Sequence, residues 1–354
     1  MSLQALINAS RRYGSDPHLV LLGGGNTSYK EGNILYVKAS GHPLGSIDEG
    51  GFVRMDRSKL EAIWNQKFSN DDAKREAEVL QVMMASRLEG ETARPSVEAL
   101  LHALLPFTYV VHLHPSLVNG LTCAVEGAKY ARELFPEALW IDLVKPGFIL
   151  ADTIKRAMMP LESVPNLIIL QNHGIFVGGE SLEEIDELYR HVLSTLKSNL
   201  KRDVDERPVE IDSTIVDPIK EELKTLFAGE VAYFHSNDTR SLLESAESFY
   251  PVSSSFTPDH IVYSGFRPLF VPKGDSITEA FEAFRKKHGQ NPKVVCVQDA
   301  GVFADGEKPL MLFIDTVRIS VYSESFGGPL FMTDEMIEFI RNWEVEQYRA
   351  KVTT

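Results

Sequence analysis

His112 and His114 lie two residues apart in YVVHLHP (109–115), an apolar segment that predicts a β-strand. Side chains alternate across a strand, so both imidazoles would face one side, about 7 Å apart at the backbone, and could bind one ion. An isolated pair of this kind is more often structural. Two further residues favour a metal site: Glu98 lies upstream in RPSVEALLH, and His173 lies in QNHG, at the tight turn after a buried apolar strand. Such turns are where rigid scaffolds display ligands.

These ligand types indicate which metal would bind. Three histidines and a carboxylate, with no thiolate nearby, suit zinc first, and iron, cobalt or manganese less well. A catalytic site would keep three protein ligands and leave room for substrate. His102 lies four residues after Glu98 on the same helical face, where packing or a hydrogen bond is favoured over direct ligation. The other histidines are interpreted as structural or surface residues: His18, His42, His191, His235, His260 and His288.

The segment GGGNTSYK (23–30) resembles a nucleotide-binding loop at first sight. A dinucleotide fingerprint needs a helix after the glycines, and an ATPase-type loop needs a final Gly-Lys-Ser/Thr. Neither condition is met. A hairpin and not a helix is predicted over 28–38, with its turn at EGN (31–33), and Lys30 follows Tyr29 instead of a glycine. The glycines are therefore expected to lie between a strand at 18–22 and this hairpin.

The same segment offers donors for one small anion. Exposed backbone N–H groups, the amide of Asn26 and the hydroxyls of Thr27 and Ser28 would form a nest for a phosphate or carboxylate. ASGH (39–42) and Ser96 supply further donors that would line the same pocket. The alternative is that each segment is only a tight turn.

The surrounding elements predict an α/β fold in which helices enclose a sheet rich in hairpins. Apolar runs predict strands at 109–115 and 167–170, the second pairing with the IFVGG segment after the QNHG turn. Helices are predicted at 2–13, 56–66, 71–89, 96–105, 116–122, 147–158 and 181–200.

A charged, Pro-containing segment at 201–218 predicts a domain boundary. We therefore expect a catalytic domain over 1–205 and a smaller α/β extension over 206–354, ending in a helix from about 333 to 351.

Two segments of the chain align without a gap, LIILQNHGIFVGGE (167–180) and VVCVQDAGVFADGE (294–307). NILY (33–36) likewise resembles HIVY (260–263). Two interpretations stay open: two similar strand-turn-strand units, or a degenerate partial repeat in which Ala300 stands in the place of His173. In either case the second half lacks a full set of metal ligands.

The composition excludes several classes of partner. The 354 residues carry a net charge of −14 with a pI near 5.2, which argues against a nucleic-acid surface. Two cysteines, Cys123 and Cys296, rule out a disulfide framework and make a cytoplasmic location the simplest expectation. No apolar run approaches the roughly 20 residues of a membrane span, and the N-terminus lacks the pattern of a signal peptide.

Taken in order, GGNTS, ASG, PSVE, HLHP and NHG resemble the class II aldolase/adducin family over about residues 1–200. The resemblance implies a three-layer αβα domain with a hairpin-rich mixed sheet. The remainder, notably FTPDHIVYSGFRPLF and the closing EFIRNWEVEQYRAK, looks like the extension in the aldolase half of long bifunctional rhamnulose-1-phosphate aldolase/alcohol dehydrogenase proteins.

The resemblance also implies residue roles. His112, His114 and His173 would be zinc ligands, and Glu98 would be the catalytic acid/base and a candidate ligand in the resting state. The residues implied to hold the substrate phosphate are Asn26, Ser40, Gly41 and Ser96. Val97 departs from the second serine that often precedes the glutamate in the family. These motifs do not place the tyrosine that family aldolases take from a neighbouring subunit, and Tyr130 is the residue considered for it.

The activity implied is a lyase that cleaves a ketose 1-phosphate to dihydroxyacetone phosphate and an aldehyde, with zinc stabilising the enediolate. The alternatives are a sugar-phosphate 4-epimerase or dehydratase using the same site. A different class is a non-catalytic, adducin-like interaction module. Family aldolases are commonly tetramers, so a homo-oligomer is expected.

Overall fold

A computed structural model describes residues 2–343 and has the expected α/β class. The strands are β1 (Asn26–Glu31), β2 (Ile34–Lys38), β3 (Phe52–Asp56), β4 (Tyr109–Leu113), β5 (Leu139–Ile141), β6 (Leu167–Leu170), β7 (Gly174–Gly179), β8 (Val231–Phe234), β9 (Leu269–Val271), β10 (Val294–Val297) and β11 (Gly301–Asp305). The first eight helices are α1 (Leu3–Gly14), α2 (Arg57–Glu61), α3 (Asp72–Ala85), α4 (Ala99–Leu104), α5 (Ser116–Thr122), α6 (Gly127–Leu134), α7 (Phe148–Met158) and α8 (Leu182–Ser198). The others are α9 (Ser213–Phe227), α10 (Asn237–Leu242), α11 (Ala246–Phe249), α12 (Pro258–Tyr263), α13 (Ile277–His288), α14 (Glu307–Ser323) and α15 (Asp334–Asn342).

The described chain divides into two compact units. The first holds the residues up to Val118, Ala128–Ser198 and residues 342–343, and the second holds Asn119–Gly127 and Asn199–Arg341. The change from one unit to the other at 198–199 lies close to the charged segment in which we expected a boundary. None of the described helices is both long and apolar enough to cross a membrane.

The first unit contains a seven-stranded sheet in the order β3-β2-β1-β4-β7-β6-β5. Neighbouring strands are antiparallel except for β5 and β6, which are parallel. The register places Asn26 opposite His112 and His112 opposite Phe176. Since directly opposed residues share a face, these three side chains of β1, β4 and β7 line one face of the sheet.

Helices cover both faces of this sheet. Thr27 and Ser28 are consecutive residues of β1 and so point to opposite faces. The Thr27 hydroxyl contacts Ser10 of α1 at 2.7 Å, whereas the Ser28 hydroxyl contacts His102 of α4 at 2.7 Å. The sheet thus lies between two helical layers, as the three-layer expectation requires. The main buried cluster joins strand residues to α3, α4 and α7 and includes Val37, Val79, Leu101, Val110, Ile154, Ile168 and Phe176.

The second unit contains a four-stranded sheet in the order β8-β11-β10-β9. Strands β9 and β10 are parallel, and the other neighbouring pairs are antiparallel. The same order and directions occur in the β4-β7-β6-β5 part of the first sheet. In each unit, the strand that comes last in the sequence is followed by a long helix: α8 follows β7, and α14 follows β11.

Most predicted elements are present, two expectations need correction, and one lies partly outside the described residues. The strand expected at 18–22 is wrong: this stretch forms a turn, and Leu22 has φ of 49°. The proposed equivalence of 33–36 and 260–263 is also wrong, because the first segment enters β2 and the second belongs to α12. The closing helix begins as expected at Asp334, but its predicted end at 351 lies outside the described residues.

Candidate metal centre and active site

Three imidazoles, those of His112, His114 and His173, lie close together at the end of β4 and in the turn before β7. His112 lies in β4, His114 follows the end of that strand, and His173 lies in the turn between β6 and β7. One ring nitrogen of each lies within 4.8 Å of the others, and the Nε2 atoms of His112 and His114 are 2.8 Å apart. Two nitrogens bound to one tetrahedral zinc would be roughly 3.3 Å apart for Zn–N bonds of about 2.05 Å. The cluster therefore has the dimensions of a single-ion site.

The orientation of His112 is fixed by its neighbours. Its Nδ1 donates to the carbonyl of Ile175 at 2.9 Å, and its ring stacks on Phe176 with centroids 4.0 Å apart. A hydrogen bond at Nδ1 leaves the lone pair on Nε2 and directs it toward the other histidines. Metal-ligating histidines are normally held in this way.

Two glycines let the chain approach these ligands closely. Gly25 has φ of 63°, and a Cβ there would come 2.8 Å from the carbonyl oxygen of His112. A Cβ on Gly174 would come 2.4 Å from the carbonyl oxygen of Leu113 and 2.8 Å from the ring of His114. Glycine at 25 and 174 is therefore required for the turns to pack against the end of β4.

Glu98 precedes α4 and directs its carboxylate into the histidine cluster. Its Oε1 lies 3.5 Å from Nε2 of His112 and 3.5 Å from Nε2 of His173. This oxygen is buried and has no hydrogen-bond partner within residues 2–343. A buried acceptor without a donor is costly, and a cation among the three imidazoles would satisfy it. The residues present thus fit a divalent metal.

The other carboxylate oxygen of Glu98 takes part in a buried network of hydrogen-bonded side chains. Asn26 Nδ2 donates to Glu98 Oε2 at 2.6 Å, and Asn26 Oδ1 is hydrogen-bonded to His102 Nε2. His102 Nδ1 is 2.7 Å from the Ser28 hydroxyl. Burial lowers the pKa of His102 well below its usual range, so this imidazole is neutral near pH 7. His102 therefore lies behind Asn26 and is held by hydrogen bonds, in agreement with the favoured interpretation.

The segments expected to bind phosphate meet beside Glu98. The Ser96 hydroxyl accepts from the Glu98 N–H at 3.2 Å, and the Ser40 N–H donates to the carbonyl of Arg94 at 2.8 Å. Residue 39 also bridges to residue 95, so the ASG and PSVE segments run side by side. Gly41 follows with φ of 86°.

The hydroxyls of two expected phosphate ligands are engaged in other contacts. Thr27 is fully buried on the opposite face of the sheet, where its hydroxyl bonds to Ser10, so its side chain is not in the pocket. Ser28 is on the correct face, but it is fully buried and its hydroxyl contacts His102. The strand begins at Asn26, and alternation along it separates Thr27 from its neighbours. Tyr130 lies in α6, with Lys129 Nζ 5.0 Å from its ring centre.

A lysine in this region was not predicted from the sequence. Lys38 ends β2 with only 3% of its surface exposed, and its Nζ donates to the carbonyl of Gly23 at 3.2 Å. A charged residue inside the apolar run ILYVKA was the available signal, since lysine is rarely buried without a partner. Lys38 anchors the start of the glycine segment.

Known proteins include a relative that aligns with nearly the whole chain. A curated protein of Bacillus subtilis (strain 168) described as "Uncharacterized oxidoreductase YuxG" is 25% identical over an alignment of 407 residues, which covers 98% of this chain. The chain spans 58% of the length of that relative.

Solved structures give matches to part of the chain. The N-terminal class II aldolase domain of a conserved protein from Thermoplasma acidophilum is 28% identical, with a TM-score of 0.49, over 56% of this chain and 93% of that one. An l-fuculose-1-phosphate aldolase from Thermus thermophilus is 16% identical, with a TM-score of 0.36, over 54% and 92% of the two chains.

The family comparison covers the unit that carries the histidine cluster. The model of the "Class II Aldolase and Adducin N-terminal domain" matches residues 4–196, more than half of the chain. That range contains β1 to β7, the three histidines and Glu98. The chain therefore belongs to the class II aldolase and adducin N-terminal domain family.

Proposed function

We propose that this protein is a metal-dependent aldolase that cleaves a ketose 1-phosphate to dihydroxyacetone phosphate and an aldehyde. The observation that carries the proposal is the position of Glu98 Oε1. This buried oxygen has no hydrogen-bond partner in the described part of the chain and lies 3.5 Å from two imidazole nitrogens. A carboxylate beside a metal position is suited to moving a proton at the carbon next to a polarised carbonyl.

His112, His114 and His173 would hold the metal, with zinc as the first candidate because the donors are imidazole nitrogens and a carboxylate. Such a cation would supply Lewis acidity, stabilising the negative charge that passes to the substrate's C2 oxygen as the C3–C4 bond breaks. The rest of the chemistry falls to the protein.

As the C3–C4 bond breaks, the proton of the C4 hydroxyl would leave to solvent, and Glu98, protonated from solvent, would return a proton to C3. In the condensation direction Glu98 would remove that proton from C3. Its Oε2 accepts from Asn26, so Oε1, which faces the histidines, is the oxygen that would carry the proton. The base would then reach the reacting carbon from the metal side of the pocket.

The substrate phosphate would bind where the GGN, ASG and PSVE segments meet. Asn26 has a second amide hydrogen that Glu98 does not use, and the donors Ser40, Gly41 and Ser96 lie on the paired segments beside it. This set has fewer hydroxyls than we expected, because Thr27 lies on the opposite face of the sheet. A homo-oligomer remains a prediction, which light scattering would test.

Exchange of dihydroxyacetone phosphate protons with solvent tests the proposal without knowledge of the aldehyde. The zinc-loaded protein in D2O should exchange one proton of the hydroxymethyl carbon, which proton NMR follows as loss of signal. Glu98→Gln should slow this exchange by roughly 10²-fold or more, the usual contribution of a positioned general base. Glu76→Gln is the matched control, since Glu76 is another buried glutamate of the first unit and accepts from the Phe148 N–H.

Two results would overturn the proposal. One is a zinc-loaded wild type that leaves dihydroxyacetone phosphate unexchanged. The other is a Glu98→Gln variant that exchanges at the wild-type rate. A positive result would be followed by cleavage assays on a panel of ketose 1-phosphates, which identify the sugar and reveal epimerised rather than cleaved product if the chemistry ends differently.

A further inference from the structure

We propose that His102 is a positioning residue for Glu98 and acts through Asn26. The inference rests on the proposed function for its catalytic consequence, but its structural content stands on the hydrogen bonds alone. His102 is fully buried on α4, one turn after Glu98. Both of its ring nitrogens are bonded to side chains of β1, so neither is left to bind a metal.

The direction of each hydrogen bond in this series follows from the carboxylate of Glu98, which is its final acceptor. An ionised carboxylate only accepts, so the Asn26 amide must present its NH2 group to Glu98 Oε2 and its carbonyl to His102. His102 therefore donates from Nε2. Its Nδ1 then lacks a hydrogen and accepts from the Ser28 hydroxyl. One tautomer of a neutral imidazole meets all of these requirements.

In this arrangement His102 fixes the orientation of the Asn26 side-chain amide. An asparagine amide can turn by 180°, which would place its carbonyl oxygen against the Glu98 carboxylate and repel it. The N–H of His102 prevents that rotation, because the rotated NH2 group would meet a donor. Glu98 is thereby held with Oε2 bonded and with Oε1 directed at His112 and His173.

Two substitutions of His102 separate positioning from packing. In His102→Gln the side-chain amide nitrogen reaches the place of Nε2 and keeps a donor for Asn26. In His102→Asn the shorter amide reaches only the place of Nδ1, keeps a partner for Ser28 and loses the donor for Asn26. Both substitutions leave a polar, smaller side chain in the same cavity, so a purely structural role predicts similar effects.

The kinetic readout is exchange of dihydroxyacetone phosphate protons at saturating substrate. His102→Asn should lower kcat by about 10- to 100-fold, the usual effect of removing a residue that orients a metal-site group. KM should change little, and zinc content should stay at the wild-type value. His102→Gln should restore most of kcat.

A second readout is independent of catalysis. In protein labelled with 15N-asparagine, the Asn26 side-chain amide, assigned with Asn26→Asp, should exchange its hydrogens slowly in wild type and in His102→Gln. Exchange should be faster in His102→Asn. If the wild type does not act on dihydroxyacetone phosphate, the proposed function fails while this measurement still tests the positioning role.

Equal kcat and equal amide exchange in His102→Gln and His102→Asn would overturn the proposal. If His102→Asn does not fold, Ser28→Ala is the second variant, because it frees Nδ1 and allows the wrong tautomer. Its Asn26 amide should then exchange faster than in wild type, and unchanged exchange would contradict the assigned hydrogen-bond directions.

The second unit carries an independent inference. We infer that its sheet repeats the metal-binding hairpin scaffold of the first unit in a form that no longer holds a metal. The turn at 298–300 has the same internal contacts as the turn at 171–173. Gln171 accepts from the Leu143 N–H at 3.0 Å, and Gln298 accepts from the Lys273 N–H at 3.0 Å. The next residues, Asn172 and Asp299, both have left-handed backbones, with φ of 54° and 61°.

The strand registers then fix which residues replace the ligands. Phe176 pairs with His112, and its counterpart Phe303 pairs with Tyr233. Tyr233 thus occupies the position of His112, His235 that of His114, and Ala300 that of His173. The Tyr233 hydroxyl donates to the carbonyl of Ala300 at 2.8 Å.

One ligand position of the repeat is retained as a buried histidine. His235 has 5% of its surface exposed, its Nδ1 is 3.2 Å from the Thr239 hydroxyl, and its Nε2 has no hydrogen-bond partner among the described residues. The Thr239 hydroxyl donates to the Ser236 carbonyl at 3.0 Å, so Nδ1 donates to that hydroxyl and the lone pair of the ring lies on Nε2. Restoring the two missing imidazoles should therefore recreate a zinc site.

Zinc stoichiometry tests this second inference. Wild type should bind one zinc per chain, and His112→Ala should bind none, because the second unit lacks ligands. Tyr233→His combined with Ala300→His should bind two, and should keep one when combined with His112→Ala. If the double variant does not fold, Tyr233→His alone supplies a His-x-His pair and should bind a second zinc weakly. No added zinc in a folded variant, or retained zinc in His112→Ala, would overturn the inference.

Discussion

The buried Lys30 of β1 makes the stability of the first unit depend on pH. Lys30 lies on β1 with 7% of its surface exposed, and its Nζ donates to the carbonyl of Phe107 at 2.8 Å. Burial, helped by the nearby charge of Arg57, lowers the pKa of Lys30 to about 7 from an ordinary 10.5. Between these two pH values the unfolded chain binds a proton at Lys30 that the folded chain has released.

The magnitude follows from the two pKa values. A fall from 10.5 to about 7, at about 1.4 kcal/mol for each pKa unit, corresponds to at most ~5 kcal/mol. Below pH 7 Lys30 is protonated in both the folded and the unfolded protein, and the folded state bears the full free-energy cost of burying the charged amine. The penalty fades as the pH rises toward 10.5, so this residue makes the protein more stable with increasing pH. Lys30→Met should therefore raise the free energy of unfolding by roughly 3 kcal/mol at pH 6.5, after a loss of about 1 kcal/mol for the bond to Phe107.

Urea unfolding at pH 6.5, 8.5 and 10 measures this effect. Tryptophan fluorescence follows the first unit, because Trp64, Trp140 and Trp343 all group with it. The gain from Lys30→Met should shrink steadily with pH and vanish near pH 10. Lys67→Met, at an exposed lysine of the same unit, is the control and should show no such trend. A difference between Lys30→Met and wild type that is constant across pH would refute the reasoning.

Three further outcomes are expected. Gly25→Ala, whose Cβ would lie 2.8 Å from the His112 carbonyl in a backbone with φ of 63°, should destabilise the protein by about 2 kcal/mol or more and weaken zinc binding in calorimetry. Gly32→Ala, with φ of 56° but nothing within 4 Å, should leave zinc binding unchanged, and an equal loss in both would show that the close approach is unimportant. Cys123 and Cys296 are fully buried, so neither should react with a thiol reagent until the protein unfolds; labelling of the native protein would contradict this. Removal of zinc by a chelator should lower the unfolding temperature, and zinc at 100 times its dissociation constant should restore about 2.7 kcal/mol, whereas an unchanged temperature would show that no metal is bound.

Local patterns predicted the elements that carry the histidines and glutamate. The apolar segments predicted as strands at 109–115 and 167–170 contain β4 and β6. Alternation along the first predicted that His112 and His114 face the same side, although His114 lies just beyond the end of β4. Bringing Glu98 to them depends on packing α4 against the sheet, which periodicity does not specify. The grouping of Glu98 with the three histidines was predicted from the order of the family motifs and not from residue spacing.

The errors have physical reasons. The apolar run at 18–22 was expected to be a strand, but short apolar runs fit buried turns equally well, and this one turns before the glycines. The hairpin was predicted to begin at 28, whereas β1 begins at Asn26. Had the strand been extended by two residues, its alternation would have separated Thr27 from Asn26 and Ser28.

The role of His102 was only partly accessible from the sequence. Its spacing from Glu98 placed it on the same helical face, and the favoured interpretation was a hydrogen bond or packing. Its partners, Asn26 and Ser28, come from β1, more than 70 positions earlier in the chain. Contacts of that kind arise from the way α4 lies across the sheet and leave no local pattern.

The most direct test of the proposed metal centre is anomalous diffraction at the zinc edge from zinc-loaded crystals. We predict one peak per chain in the first unit, about 2.1 Å from the Nε2 atoms of His112, His114 and His173 and next to Glu98 Oε1. A peak at any other set of residues, or no peak at these three histidines at saturating zinc, would contradict this prediction.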